Sequence, residues 1–288
     1  MLLLPFAAFL LVQNSGRDTS QLQDQLRRII ASSGAEVAVA YRTLDGKSEL
    51  LLDADKTFHA ASTMKVPVMI ELFRQVQTGA LSLDESLPIR NQFRSIIDGS
   101  PYALSEGDDS DSAVYAAVGK SLTLGKLCEL MITVSSNFAA NLLIERLGVD
   151  NIRRTVTSLG ADGMQVLRGV EDQKAFDKGM NNTTTARGLM VLLDKLAHGS
   201  AVGPDADKKM IDILGRQQFN DAIPAGVPAG IAVAHKTGNI TRIHHDAAIV
   251  LAPRPYILVV LVRGIEDQKK SAALIADLSR AIYEANAR

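Results

Sequence analysis

The spacing of apolar residues changes period several times along the chain, and each change predicts an element. Between Thr19 and Ser33, Leu22, Leu26, Ile29 and Ile30 fall on one helical face. Glu36 to Arg42 alternates, Asp45-Gly46 is a hairpin turn signal, and Glu49 to Leu52 returns as a second strand. The helical period resumes at Ser62, holds to about Gln77 and is closed by Gly79. From Ile89 to Lys120 the period is lost. This stretch is rich in Ser, Asp and Gly, including Asp108-Asp109-Ser110-Asp111-Ser112, and reads as a solvated surface excursion with a short helical piece near Val114 to Val118. Helices are expected at Leu122 to Thr133, Ala139 to Arg146, Asn151 to Leu159, Thr185 to His198 and Lys208 to Gln217, with an aperiodic structured loop from Leu167 to Thr185. Gly230 to Lys236, His244 to Leu251 and Tyr256 to Val262 read as strands, and Lys269 to Ala285 as a closing amphipathic helix.

Strands at both ends and helices between them require the termini to meet. The expected fold is α+β: an antiparallel sheet from both chain ends, flanked by the terminal helices on one face, with a central helical subdomain on the other. The expected division is residues 1–16 as an export signal, 17–60 and 220–288 as the α/β part, and 61–219 as the helical part. A cleft is expected at the seam.

Composition narrows the function classes. The 288 residues are 47% hydrophobic and carry a net charge of -1. With no long basic run, nucleic acid is not an expected partner. Leu2 to Val12 is apolar but too short to span a bilayer. It suits the core of an export signal, although no Lys or Arg precedes it, so a periplasmic or secreted protein without a stable membrane span is expected. Cys128 is the only cysteine and lies in an apolar run, so no intramolecular disulfide can form and a buried thiol is expected. His59, His198, His235, His244 and His245 form no H-E-x-x-H pattern, so neither a metal nor another cofactor is expected.

The chemistry is carried by three short stretches. Ser62 and Lys65 are three residues apart at the head of an apolar helix, one turn apart on one face. A neutral lysine there could take the serine proton and make a nucleophile. A lone S-x-x-K occurs about once by chance in this length. Ser135-Ser136-Asn137 adds a second hydroxyl and an amide, and Lys236-Thr237-Gly238 a second lysine. A K-T-G tripeptide is expected only about 0.1 times at this length, and all three motifs stand in a workable order.

With these motifs the chain resembles the class A serine β-lactamases and the wider penicillin-binding superfamily, over roughly residues 19 to 288. Ser62-Thr63-Met64-Lys65 is similar to the family's S-T-F-K. Ile132-Thr133-Val134-Ser135-Ser136-Asn137-Phe138-Ala139-Ala140-Asn141-Leu142-Leu143 is similar to its I-T-M-S-D-N-x-A-A-N-L-L. The resemblance implies that Ser62 is acylated, that Lys65 accepts its proton with a pKa depressed by Lys236 and burial, and that Ser135 passes a proton to the leaving nitrogen. It implies that Asn137 binds the acyl amide and steadies Lys65, that Lys236 and Thr237 hold the substrate carboxylate, and that the N–H groups of Ser62 and Asn239 form an oxyanion hole. The substrate would be a β-lactam or a cell-wall peptide.

Four departures stand out. Ser136 replaces the aspartate of S-D-N. The family's R-x-E-x-x-x-N loop is matched only by Arg168-Gly169-Val170-Glu171, one residue longer, with Ala175 in place of the asparagine. Glu171 is therefore either the base that activates deacylating water or a surface carboxylate. The Ile89 to Lys120 excursion is longer than the family's; its Tyr102 or Tyr115 could shape the cleft entrance, though both read first as plain surface tyrosines. Arg242, His244 and His245 compete for the arginine position after K-T-G, the two histidines reading as satisfied strand residues. The leading reading is a β-lactam hydrolase acting through an acyl-enzyme. A D,D-peptidase-like enzyme or esterase, and a penicillin-binding sensor that does not turn over, are the alternatives.

Overall fold

The structure is a computed structural model that describes residues 19–288; the apolar segment from Leu2 to Val12 lies outside the described residues. The chain opens with α1 (Ser20–Ser33) and the hairpin β1 (Glu36–Thr43) and β2 (Glu49–Leu52). Gly46 takes φ 68° in the hairpin turn, and the Asp45 carboxylate accepts from Thr43 Oγ1 at 2.6 Å and Lys47 N at 3.1 Å. The middle runs through α2 (Lys65–Gln77), α3 (Leu124–Thr133), α4 (Asn137–Leu147), α5 (Val149–Ser158), α6 (Gln173–Asp177), α7 (Ala186–Ala197) and α8 (Pro204–Leu214). The chain then returns as β3 (Val233–Ile240), β4 (Ile243–Val250), β5 (Tyr256–Arg263) and α9 (Gln268–Ala287).

The sheet order is β2-β1-β5-β4-β3, every pair antiparallel. Alternation divides its side chains between two cores. Val37, Val39 and Tyr41 of β1 and Leu258, Val260 and Val262 of β5 pack with Leu22, Leu26, Ile275, Leu278 and Ile282 of α1 and α9. Ala38, Ala40, Ile257, Val259 and Leu261 face the other way, into a core shared with α2, α3, α4, α5, α7 and α8. Covered on both faces, β5 is buried from Tyr256 to Val262, and its sequence shows a continuous apolar run rather than an alternation. The fold is α+β with an antiparallel sheet, as its pattern of periods implies.

Three local differences matter for the site. The strand expected to end at Lys236 instead runs from Val233 to Ile240, because pairing with β4 continues through a tight turn to Ile243↔Ile240. Lys236 is thus mid-strand on a sheet edge. The helix expected from Ser62 begins as a 3₁₀ turn, Ala61–Met64, and becomes α-helical at Lys65. The excursion expected to be solvated is instead tied down. Phe93–Arg94 pairs with Pro101–Tyr102, Ser86–Pro88 with Ser121–Thr123, and Ile89, Phe93, Leu104 and Val114 are buried. Tyr102 and Tyr115, read as surface residues, are half-buried. Phe93 packs on Tyr102 and Phe138 at centroid distances of 5.8 and 5.9 Å, and Tyr115 on Phe138 at 4.8 Å. Cys128 is buried, and burial pushes its thiol up to about 12, which leaves it unreactive.

Candidate active site

The nucleophile candidate sits on a strained turn. Ala61 is held at φ 45°, a left-handed conformation unusual for a residue with a Cβ. Its N–H donates to His59 Nδ1 at 3.0 Å, and Thr63 Oγ1 donates to Ala60 O at 2.6 Å. Ser62 lies in the first turn of the 3₁₀ segment, where backbone N–H groups have no acceptor within the helix. Its side chain is half-buried, and among the described residues its hydroxyl makes no side-chain hydrogen bond. β3 closes on this turn at Gly238. A Cβ built there would lie 3.1 Å from Ser62 N and 3.1 Å from both Thr63 N and Thr63 Cγ2, so glycine permits the approach. Asn239 follows on the exposed stretch of the strand.

Lys65 is fully buried. Its Nζ donates to Ser135 O at 2.6 Å and Asn137 Oδ1 at 2.8 Å, and lies 3.4 Å from Ser135 Oγ. Burial lowers its pKa to about 7, against the opposing pull of Asp109 and Glu171. Lys236, also fully buried, donates to Ser135 Oγ at 2.9 Å and Thr237 O at 2.8 Å. Its pKa is held well below the usual lysine value by burial and then by the charge of Lys65, with Asp246 opposing. The resemblance implies that Lys236 and burial together depress Lys65; burial is the largest cause at both lysines, and the repulsion between the two, being mutual, disfavours both carrying a charge at once. The Ser135 hydroxyl therefore sits between the two lysine amino groups, on a residue held at φ 60°. Thr237, on the rung with Asp246, is buried.

Glu171 is beside this cluster. Asn137 Nδ2 donates to Glu171 Oε1 at 2.9 Å while Asn137 Oδ1 accepts from Lys65, so one amide links the lysine and the carboxylate. Glu171 has φ 61° and is exposed at the surface, yet partial desolvation of its carboxyl raises its pKa, reinforced by Asp109 and Asp108 and opposed by the Asn137 bond and Lys65. The loop that carries it is fixed at several points. Asn182 Oδ1 accepts from Leu167 N at 2.8 Å, Arg168 donates to Met180 O at 2.9 Å and Asn181 Oδ1 at 3.1 Å, and Asn141 Oδ1 accepts from Val170 N at 2.6 Å. Asp172 caps α6 and accepts from Ser95 Oγ at 2.8 Å and Ile96 N at 2.9 Å. Ala175 is buried inside α6, so it offers no amide to a water at Glu171.

The structure thus brings together Ser62 on the 3₁₀ turn, Lys65 at the start of α2, Ser135 and Asn137 at the α3–α4 connection and the head of α4, Lys236, Thr237 and Asn239 on β3, and Glu171 on the 167–182 loop. Arg242, His244 and His245 are engaged elsewhere. Arg242 occupies the β3–β4 turn at φ 60° and donates to Gly264 O at 3.2 Å. His244 Nδ1 pairs with Ser271 Oγ at 2.9 Å. His245 Nε2 donates to His59 O at 2.9 Å and its Nδ1 accepts from Val262 N at 3.2 Å.

Sequence reasoning missed Asp109. Ser136 Oγ caps α4 by accepting from Ala139 N at 3.2 Å, but the carboxylate at that helix end comes from the excursion: Asp109 accepts from Asn137 N at 2.9 Å and Phe138 N at 2.9 Å. The available signal was the pairing of an acidic run with the absent aspartate at Ser136.

Comparison with known proteins agrees with this geometry. The profile of the beta-lactamase enzyme family matches residues 21–286. The β-lactamase of Streptomyces albus G is 27% identical over 281 residues, covering 93% of this chain and 87% of that protein. The crystal structure of a β-lactamase from Sphaerobacter thermophilus superposes with a TM-score of 0.81 at 25% identity, covering 94% of this chain and 98% of that one. A mutant of PBP-A, solved as an acyl-enzyme complex with penicillin G, superposes with a TM-score of 0.79 at 27% identity, covering 94% and 97%. With the profile spanning nearly the whole described chain and the fold shared end to end, this protein belongs to the beta-lactamase enzyme family.

Proposed function

We propose that this protein hydrolyses β-lactams in two steps through an ester on Ser62. The observation that carries the reading is Lys65: a buried amine, lowered to about 7, held by Ser135 O and Asn137 Oδ1 one turn from Ser62. Neutral Lys65 takes the Ser62 proton, and Oγ attacks the lactam carbonyl carbon. The oxyanion is held by the N–H groups of Ser62 and Asn239, each donor contributing ~3 kcal/mol. As the C–N bond breaks, Ser135 delivers a proton to nitrogen and is resupplied from the lysine pair. Lys236 and Thr237 hold the substrate carboxylate, whose arrival gives buried Lys236 a counter-ion. Glu171 then removes a proton from water, which attacks the ester carbonyl, and Ser62 leaves with a proton.

The acylation rate constant is expected to rise with pH through about 7 and level off above it, because the active form of Lys65 is the deprotonated one and its pKa is lowered to about 7. Stopped-flow mixing with penicillin across pH 5–9 checks this; a profile flat through pH 7 would remove Lys65 as the base.

Lys236→Ala is expected to lower kcat/KM for carboxylate-bearing β-lactams by a factor equivalent to about 2–5 kcal/mol while a folded protein is retained. The parallel measurement is thermal unfolding. Unchanged kcat/KM with a normal transition would reduce Lys236 to a scaffold residue.

Ala175 favours a second reading, a penicillin-binding peptidase that acylates and clears slowly, because no amide at that position orders a hydrolytic water. Release of D-alanine from a muropeptide-like peptide, faster than hydrolysis of a chromogenic cephalosporin, would favour it. Among the described residues no helix is long and apolar enough to cross a membrane. A periplasmic or secreted location is proposed on the Leu2 to Val12 segment, and fractionation of the expressing cell tests it.

A further inference from the structure

The excursion between Ile89 and Lys120 touches the motif segment at two consecutive residues. Asp109 Oδ1 and Oδ2 accept from Asn137 N at 2.9 and 3.0 Å, and Oδ2 accepts from Phe138 N at 2.9 Å. Ser110 Oγ donates to Val134 O at 2.6 Å, immediately before the left-handed Ser135. The excursion thus grips the Ser135-Ser136-Asn137 segment on both sides. Its own position is set by Tyr115, whose hydroxyl donates to Asp109 Oδ2 at 3.3 Å and whose ring packs on Phe138.

We propose that Asp109 is a positioning residue for acylation: it fixes the Asn137 amide that joins Lys65 to Glu171 and presents a fixed negative charge to that pair, a role that Ser136 cannot fill from within its own helix. This rests on the function proposed above. Asn137 can serve Lys65 through Oδ1 and Glu171 through Nδ2 only if its backbone is held, and its N–H is one of the helix-end groups that needs an acceptor. Ser136 Oγ is committed to Ala139 N. A carboxylate is the acceptor best matched to the positive end of α4, and Asp109 reaches two N–H groups at once. The charge acts on the same groups. Lys65 faces Asp109 from the excursion, Glu171 from the 167–182 loop and Lys236 from β3, with Asp246 behind Lys236; Asp109 holds Lys65 up and pushes Glu171 up.

Two substitutions separate geometry from charge. Asp109→Asn keeps an oxygen for Asn137 N and removes the charge; Asp109→Ala removes both. The Lys65 ¹³Cε resonance, assigned by its loss in Lys65→Arg, is titrated in the parent and in Asp109→Asn. Penicillin acylation is followed by stopped flow in the parent and in Asp109→Ala, with thermal unfolding recorded. The Lys65 midpoint is expected to fall by roughly one unit in Asp109→Asn. Acylation is expected to slow by roughly 100-fold in Asp109→Ala, the scale of a misplaced catalytic group. An unmoved midpoint, or acylation within twofold of the parent, overturns the proposal. If Asp109→Ala fails to fold, the Asp109→Asn titration decides it alone. Should the parent take no penicillin, the proposed function falls, and the same titration still decides the role of Asp109.

Discussion

Ser62→Ala is expected to abolish both the penicillin adduct and turnover, lowering kcat/KM by on the order of 10⁴-fold or more. The hydroxyl is the bond-forming atom in the proposed route, and no other serine of the cluster can replace it. Ser135 Oγ is bound by Lys236 at 2.9 Å and lies 3.4 Å from Lys65, so it is placed to pass protons. The substitution is structurally mild. Ser62 Oγ makes no side-chain hydrogen bond among the described residues, and the turn is held by Ala61 N to His59 Nδ1 and Thr63 Oγ1 to Ala60 O. Stability should therefore change by no more than about 0.5 kcal/mol. Peptide mapping after penicillin treatment checks the assignment. A drug adduct that persists in Ser62→Ala would place the nucleophile elsewhere.

Glu171→Gln is expected to accumulate acyl-enzyme that the parent clears, slowing deacylation by about 10²–10⁴-fold. In the parent the Glu171 carboxylate is held in place. Its Oε1 accepts from Asn137 Nδ2, and its backbone is held at φ 61° on a loop secured by Asn141, Asn182 and Asp172. Partial desolvation of this exposed carboxyl raises its pKa, which brings it closer to the pH at which it can act as a base. The acylation step should be unaffected within a few-fold, since the proton acceptor for Ser62 is Lys65. With Ala175 buried in α6, the water at Glu171 lacks a second amide partner, and deacylation is expected to limit turnover in the parent too. Single-turnover acylation and the decay of the adduct separate the two steps. Clearance by Glu171→Gln at the parental rate would show that another group activates the water.

The order of elements was legible because each carries a periodic signal. The 3.6-residue stripe of Leu22, Leu26 and Ile29, the Asp45-Gly46 turn and the apolar run from Tyr256 to Val262 are local, and the meeting of the termini follows from counting strands. The three motifs marked which residues to watch because each unites reactive types at short spacing. What the sequence hid was non-local. β3 continues past Lys236 because β4 pairs with it, although the apolar alternation has already stopped at the K-T-G stretch. The excursion has no period, since it is secured by the Phe93, Tyr102, Tyr115 and Phe138 rings rather than by a helix or long strand. Asp109 is one acid in an acidic run, and only the fold singles it out by bringing it to Asn137 N. The ambiguity at Glu171 had the same origin: its direction depends on a left-handed backbone and a partner 34 positions earlier.

Intact-protein mass spectrometry after mixing with a limited excess of penicillin tests the central claim most directly. The account predicts a species heavier by the mass of the drug, located on the peptide containing Ser62, that rises within the first moments and then decays to the parent mass as ring-opened penicillin accumulates. A protein that never gains mass and leaves the drug intact, or one whose adduct never decays, would contradict hydrolysis through an acyl-enzyme on Ser62.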